Sequence, residues 1–175
     1  MNAATKKLIK HFESLHDGDL KTAGLQPKMC PAGIWTEGYG RAMIDPNTKG
    51  HLRGKNNARR ALALQTIRTE KDADIALEQD YNRLAVLPAK AALGVDYWDK
   101  LTENQRGALG SFVYNCGVGS PRYKIFANIR AYLNGTMSAA ALDKYWKTSV
   151  IRDGGKILKG LILRREAEVQ LFFTN

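Results

Sequence analysis

Three side chains in the first quarter of the chain have types and spacing suited to chemistry: Glu13, Cys30 and Thr36. Glu13 falls in the last turn of a predicted helix over Ala3–Leu15. Leu8, Ile9, Phe12 and Leu15 recur there at helical spacing while Lys6, Lys7 and Lys10 face away. The negative end of a helix dipole disfavours an ionised carboxylate, and burial beside Phe12 adds to that. A carboxyl that keeps its proton near neutral pH is what a general acid needs. The plainer reading of Glu13 is a solvated carboxylate at a helix end. Cys30 is harder to place: a free thiol, with a pKa of about 8.5, is a poorer base at neutral pH than a carboxylate. It also fits as a small buried apolar residue. The Thr36 hydroxyl can both donate and accept a hydrogen bond, although β-branching alone would explain it in a strand.

The elements that must position these groups follow from periodicity and breakers. Asp17–Met29 reads as loop, with Gly18, Gly24 and Pro27. Ala32–Met43 reads as a small sheet or hairpin, rich in strand formers and in turn glycines at 33, 38 and 40. Alternation in that strand sets Trp35 opposite Thr36, which favours core for Trp35. Asp45–Asn57 is a polar connector. Helical patterns then dominate: Ala58–Arg68; Ala73–Val86 behind a Thr69/Asp72 capping-box-like spacing; Arg106–Cys116 behind Thr102/Gln105; Arg122–Leu133; Ala139–Thr148 behind Ser138; and Leu161–Phe173. Arg152–Gly160 reads as a Gly/Lys-rich loop. The expected fold is α+β: helix 1 and a small β lobe over residues 1–57, linking helices over 58–87 and a larger all-helical lobe over 88–175. A cleft between lobes is a common seat for substrate.

Several chemistries lack their signatures. His11, His16 and His51 do not share a metal-ligand spacing, so no metal and no cofactor is expected. There is no Gly-x-Ser-x-Gly elbow and no phosphate-binding P-loop, and Gly38-Tyr-Gly40 alone is too weak a signal for a nucleotide. Cys30 and Cys116 do not make a disulfide framework, and Cys116 reads as a packed core thiol. No run reaches about 18 apolar residues, so no membrane span is expected.

The pieces taken in series resemble a known family. Phe12-Glu13, then Cys30-Pro-Ala-Gly-Ile-Trp-Thr36-Glu-Gly-Tyr-Gly40, then Leu101-Thr-Glu-Asn-Gln-Arg106, Ser111-Phe-Val-Tyr-Asn-Cys-Gly-Val-Gly119 and Gly160-Leu-Ile-Leu-Arg-Arg-Glu-Ala-Glu168 resemble the phage lysozymes of glycoside hydrolase family 24 in order. The resemblance implies a lysozyme-like fold and cleavage of the β-1,4 bond between N-acetylmuramic acid and N-acetylglucosamine in peptidoglycan. It implies Glu13 as general acid, and an active-site pattern that ends in Cys30, five residues and Thr36. Eight residues separate the Glu from the next position in the family and sixteen do so here, so an insertion lies within Ser14–Met29. Arg41 stands where many members carry His. The resemblance also implies Arg164 as the residue that orients the glutamate, and Tyr114 and Asn115 as cleft-lining sugar contacts; the rings of Tyr39 and Trp35 are of a type that can stack on sugars. Core packing competes for Tyr39, and helix core or C-cap for Tyr114 and Asn115. Three roles stay open for Cys30: positioning water with Thr36, acting as nucleophile, or ceding the carboxylate work to Asp17 or Asp19.

The chain has 175 residues, a net charge of +10, 44% apolar and 25% charged residues, which excludes a disordered tail or a disulfide-stapled mini-protein. A chain of this length buries about two-thirds of its unfolded surface. The positive charge attracts anionic polymers, and Arg41–Arg68 alone carries seven Lys/Arg against Asp45. The expected partner is bacterial peptidoglycan, with no nucleic acid, no stable membrane insertion and a monomeric state. The N-terminus turns polar before an apolar stretch develops, so synthesis in the host cytoplasm without a signal peptide is expected, with action on the wall after release or delivery. The rival readings are a basic nucleic-acid-binding module, a non-catalytic wall binder and a lytic transglycosylase.

Overall fold

The structure is a computed structural model that describes residues 1–15, 24–119 and 123–174. His16, Asp17, Asp19 and most of the insertion therefore lie outside the described residues. The chain divides into two compact units: Glu13–Asp80, and Met1–Phe12 together with Tyr81–Asn175.

Helix α1 spans Ala3–Glu13. Asn2 opens it by accepting the Thr5 amide at 2.9 Å. It closes two residues earlier than the apolar spacing suggests, because Ser14 takes a left-handed φ of 58°. In the Glu13–Asp80 unit, β1 (Lys28–Met29), β2 (Trp35–Glu37) and β3 (Arg41–Ala42) form an antiparallel sheet in that order. Lys28 faces Thr36, Met29 faces Trp35, Thr36 faces Ala42 and Glu37 faces Arg41. Met43, Leu52 and Ala61 are buried behind it, with Trp35 and Leu64 packed against them. Trp35 is thus partly buried core, and its indole N–H donates to the Gly54 carbonyl at 2.8 Å.

A single-turn 3₁₀ segment at Lys55–Asn57 leads into α2 (Ala58–Leu64). The helix stops four residues before Arg68, where apolar spacing would end it. Gln65 is extended and its side-chain amide donates to the Leu25 and Ile67 carbonyls. Helix α3 runs from Glu70 to Tyr81. Its capping box works with Asp in place of Glu: Thr69 Oγ1 accepts the Asp72 amide at 3.1 Å, and Asp72 Oδ2 accepts the Thr69 amide at 3.0 Å. The Thr69 hydroxyl, with the Arg68 amide behind it, holds the Asp72 carboxyl below its ordinary value.

The second unit is helical. A π-helical turn (Asn82–Val86) continues into α4 (Leu87–Leu93), then α5 (Val95–Lys100), α6 (Glu103–Cys116), α7 (Tyr123–Leu133), α8 (Ala139–Thr148) and α9 (Lys159–Phe172). Thr102 and Gln105 make the full capping box of α6, and Ser138 caps α8. Between α8 and α9 the chain forms a two-stranded hairpin, β4 (Arg152–Asp153) and β5 (Lys156–Ile157), where sequence suggests only loop. Phe112, Trp146 and Phe172 build the aromatic centre, with ring centroids 5.9 Å and 5.2 Å apart in that order. No described helix is long and apolar enough to cross a membrane.

One carboxylate ties the sheet to the chain beyond α2. Glu37, 5% exposed, accepts the Thr66 amide at 2.8 Å, the Thr66 hydroxyl at 2.7 Å and the Ile67 amide at 3.0 Å. Hydrogen bonds to a charged acceptor are worth more than neutral ones, and a Gln here would aim its amide hydrogens at donors. Glu37→Gln should therefore lower unfolding free energy by about 2 kcal/mol. Urea titration should show this as a lower midpoint; an unchanged midpoint would contradict the clamp.

Candidate active site

The spacing of Cys30 and Thr36 follows from the hairpin between β1 and β2. The Cys30 amide donates to Ile34 O at 2.8 Å and Gly33 donates back to Cys30 O at 2.9 Å, which closes a tight turn. That turn continues the register of Lys28 with Thr36 and Met29 with Trp35. Side chains alternate between the two faces of a sheet, so Cys30 and Thr36 share one face as diagonal neighbours. Met29 and Trp35 take the other face, where Trp35 packs on Met43, Leu52 and Ala61. Cys30 is half-buried and unpaired.

Thr36 is 6% exposed, and its hydroxyl donates to Lys28 O at 2.9 Å. That bond fixes the hydroxyl on the sheet face it shares with Cys30. Beyond β2 the chain reverses through Gly38-Tyr39-Gly40, where Gly38 and Gly40 take φ of 57° and 85°. A side-chain carbon at Gly38 would stand 2.8 Å from Ile67 Cδ1, so the turn packs against the segment that Glu37 holds. A carbon at Gly40 would stand 3.9 Å from Glu13 Oε2. The half-buried Glu13 carboxylate therefore reaches the turn directly after the strand that carries Thr36. Tyr39 is 5% exposed, which leaves little of its ring for stacking on a sugar.

Arg41, at the start of β3, makes two polar contacts to α3. Its Nε donates to Asp80 Oδ2 at 2.7 Å and its Nη2 to Ala76 O at 2.8 Å. The ion pair and the carbonyl contact together fasten β3 to α3.

The remaining expected site residues belong to the helical unit. Tyr114 is half-buried, its ring 6.3 Å from Tyr81. Asn115 is exposed, and its Oδ1 accepts from Arg165 Nη2 at 2.6 Å. With the oxygen anchored, the amide nitrogen is the end left to donate outward. Cys116 is half-buried rather than packed in the core. It donates to Asn115 Oδ1, and burial pushes its thiol up.

Arg164 is 3% exposed. It donates to Glu168 Oε1 at 3.3 Å and to the Ser111 carbonyl at 3.2 Å, and it lies 5.6 Å from the centroid of Phe12, the residue before Glu13. Arg165 and Glu168, both 0% exposed, complete a charged cluster that sequence reading passed over. Burial pushes the Glu168 carboxyl up, opposed by Arg165, Arg164, Trp146 and Ser111. The available signal was Arg164-Arg165-x-x-Glu168, a spacing that pairs charges along one helix face. Glu37 was missed for a similar reason: one charged residue in a strand reads as surface.

A family model described as phage lysozyme matches residues 19–168. The endolysin of Acyrthosiphon pisum secondary endosymbiont phage 1 is 29% identical over 167 residues, 94% of this chain and 92% of that one. The endolysin of Bacillus phage B103 is 38% identical over 86 residues, 46% of this chain and 31% of that one, so the match spans about a third of that relative's length. Among solved structures, the muramidase domain of SpmX from Asticaccaulis excentricus is similar with a TM-score of 0.58 and 26% identity, covering 99% of this chain and 97% of that one. The fold is accordingly lysozyme-like α+β. With most of its length matched by that model, the chain belongs to the phage lysozyme family.

Proposed function

We infer that this chain hydrolyses peptidoglycan as a muramidase, cutting the β-1,4 bond between N-acetylmuramic acid and N-acetylglucosamine. Family membership supports the substrate class. The observation that carries the reading is the approach of Glu13 Oε2 to Gly40, in the turn after the strand that bears Thr36. Glycoside hydrolysis needs an acid to protonate the leaving oxygen while water attacks the sugar carbon. Glu13 is the acid. Cys30 and Thr36, which share a sheet face, position the attacking water by hydrogen bonding and contact, and the proton that water gives up on attack passes to bulk solvent. Tyr114 and Asn115 are further glycan contacts in this reading, the exposed side-chain amide of Asn115 being suited to an acetamido oxygen. Tyr39 supports the turn and offers substrate an edge at most. Arg164 steadies the last turn of α1 through Phe12.

Removing the acid proton while keeping shape isolates its role. Glu13→Gln should fold normally by circular dichroism and lose about 10²–10⁴-fold of its rate on purified wall, read as turbidity loss. A folded variant with undiminished lysis would overturn the assignment. Cys30→Ala should slow wall cleavage about tenfold through a less well placed water. Proton NMR of the first-formed product should show inversion at the anomeric carbon, whereas retention would make the thiol a nucleophile.

A further inference from the structure

The basic stretch read from sequence is not uniform in the structure. Arg41 is committed to Asp80, and Arg60 to Asp45. Residues 46–69 contain neither Asp nor Glu. Within that run Arg53, Lys55 and Arg59 are exposed, and no carboxylate of the described residues lies within ion-pair distance of them. They sit on ordered backbone. Asn57 donates its amide to Gly54 O at 3.2 Å and its side-chain nitrogen to Arg53 O at 2.7 Å, which folds residues 53–57 into one tight turn. Lys55, Arg59 and Leu62 then follow at i, i+4 and i+7 on the outward side, opposite buried Ala61 and half-buried Leu64.

The strip has a fixed start. Arg53 Nη1 donates to Ala32 O at 3.4 Å, which lays the guanidinium against the Cys30–Gly33 turn. Positive charge therefore runs from the edge of the sheet face that carries Cys30 and Thr36, outward along α2. We propose that Arg53, Lys55 and Arg59 form a docking strip for the free carboxylates of peptidoglycan peptide stems, separate from the groups that act on the glycosidic bond. The proposal rests on the muramidase reading for its polymer. Charge complementarity selects an anionic partner, and guanidinium forks match carboxylates. A single-stranded nucleic acid fits less well, because base stacking needs an open aromatic face. Trp35, bonded to Gly54 within the strip's turn, has its N–H committed there and is packed against Met43, Leu52 and Ala61.

The test measures retention of the Glu13→Gln chain on insoluble purified wall, so cleavage does not enter. Three walls are compared: untreated, stripped of phosphate polymers, and with peptide carboxyls converted to amides. The chain with Arg53→Gln, Lys55→Gln and Arg59→Gln added is run beside it, after its thermal midpoint is shown to match. The proposal expects amidation, but not phosphate removal, to weaken retention at least about tenfold at low salt. The triple substitution should have the same effect, and it should add nothing on amidated wall. Equal retention on untreated and amidated wall would overturn the proposal, as would loss only on stripped wall, or an unaffected triple variant. Tighter retention of the parent chain on single-stranded DNA than on wall would also overturn it. A Glu13→Gln chain that still cuts wall would count against the muramidase reading and not against the strip.

Discussion

A carboxylate at 5% exposure with three donors aimed at it leaves the strand that bears it little freedom, and Glu37 is that group. Each of its three bonds ends on Thr66 or Ile67, so β2 cannot slide without giving up a charge-assisted contact. Register matters here because side chains in a strand alternate between faces. A slip by one residue would send Thr36 to the apolar side and Trp35 to the side of Cys30. The apolar pocket of Met43, Leu52 and Ala61 holds the indole from behind, while Glu37 fixes the strand along its length. Together they determine which hydroxyl faces Cys30.

The same logic extends through the turn after β2. Gly38 takes the left-handed backbone that a side chain would strain, and Ile67, held by Glu37, packs against it. Gly40 supplies the left-handed backbone that returns the chain to β3 and leaves room for Glu13. Arg41, the next residue, is fastened to Asp80 at the end of α3. Gly38, Gly40 and Arg41 thus have separate structural duties, and the carboxylate of Glu13 meets the turn they build. In the helical unit a different device fixes Arg164. Two guanidiniums share the buried Glu168, whose oxygens also accept from Ser111 and Trp146. Buried charges of this kind are costly unless fully paired, so each member constrains the others.

Much of this was legible in the sequence because local signals and tertiary needs agreed. The capping residues of α6 and α8 act as their spacing predicts, and the strand formers around Trp35 and Thr36 do form the central strand. Where the two disagreed, tertiary contacts decided. The apolar spacing of α2 runs on toward Arg68, yet the Gln65 amide finds better partners in Leu25 and Ile67 and ends the helix. No pattern announced the π-helical turn after Tyr81 or the hairpin before α9. Isolated charges were the largest gap: nothing local shows that donors will surround Glu37, or that Arg165 and Glu168 will be buried together. Among cations the error ran the other way, as Arg41 and Arg60 counted as free charge but are committed to carboxylates.

The proposed roles of Glu13 as acid and of the Cys30–Thr36 face as the seat of the attacking water make one chemical demand: the broken bond must gain the elements of water. Mass spectrometry of fragments released from purified wall measures that directly. The account predicts hydrated muramic ends that borohydride reduces. Anhydro ends that resist borohydride, or fragments cut only within their peptides, would contradict it.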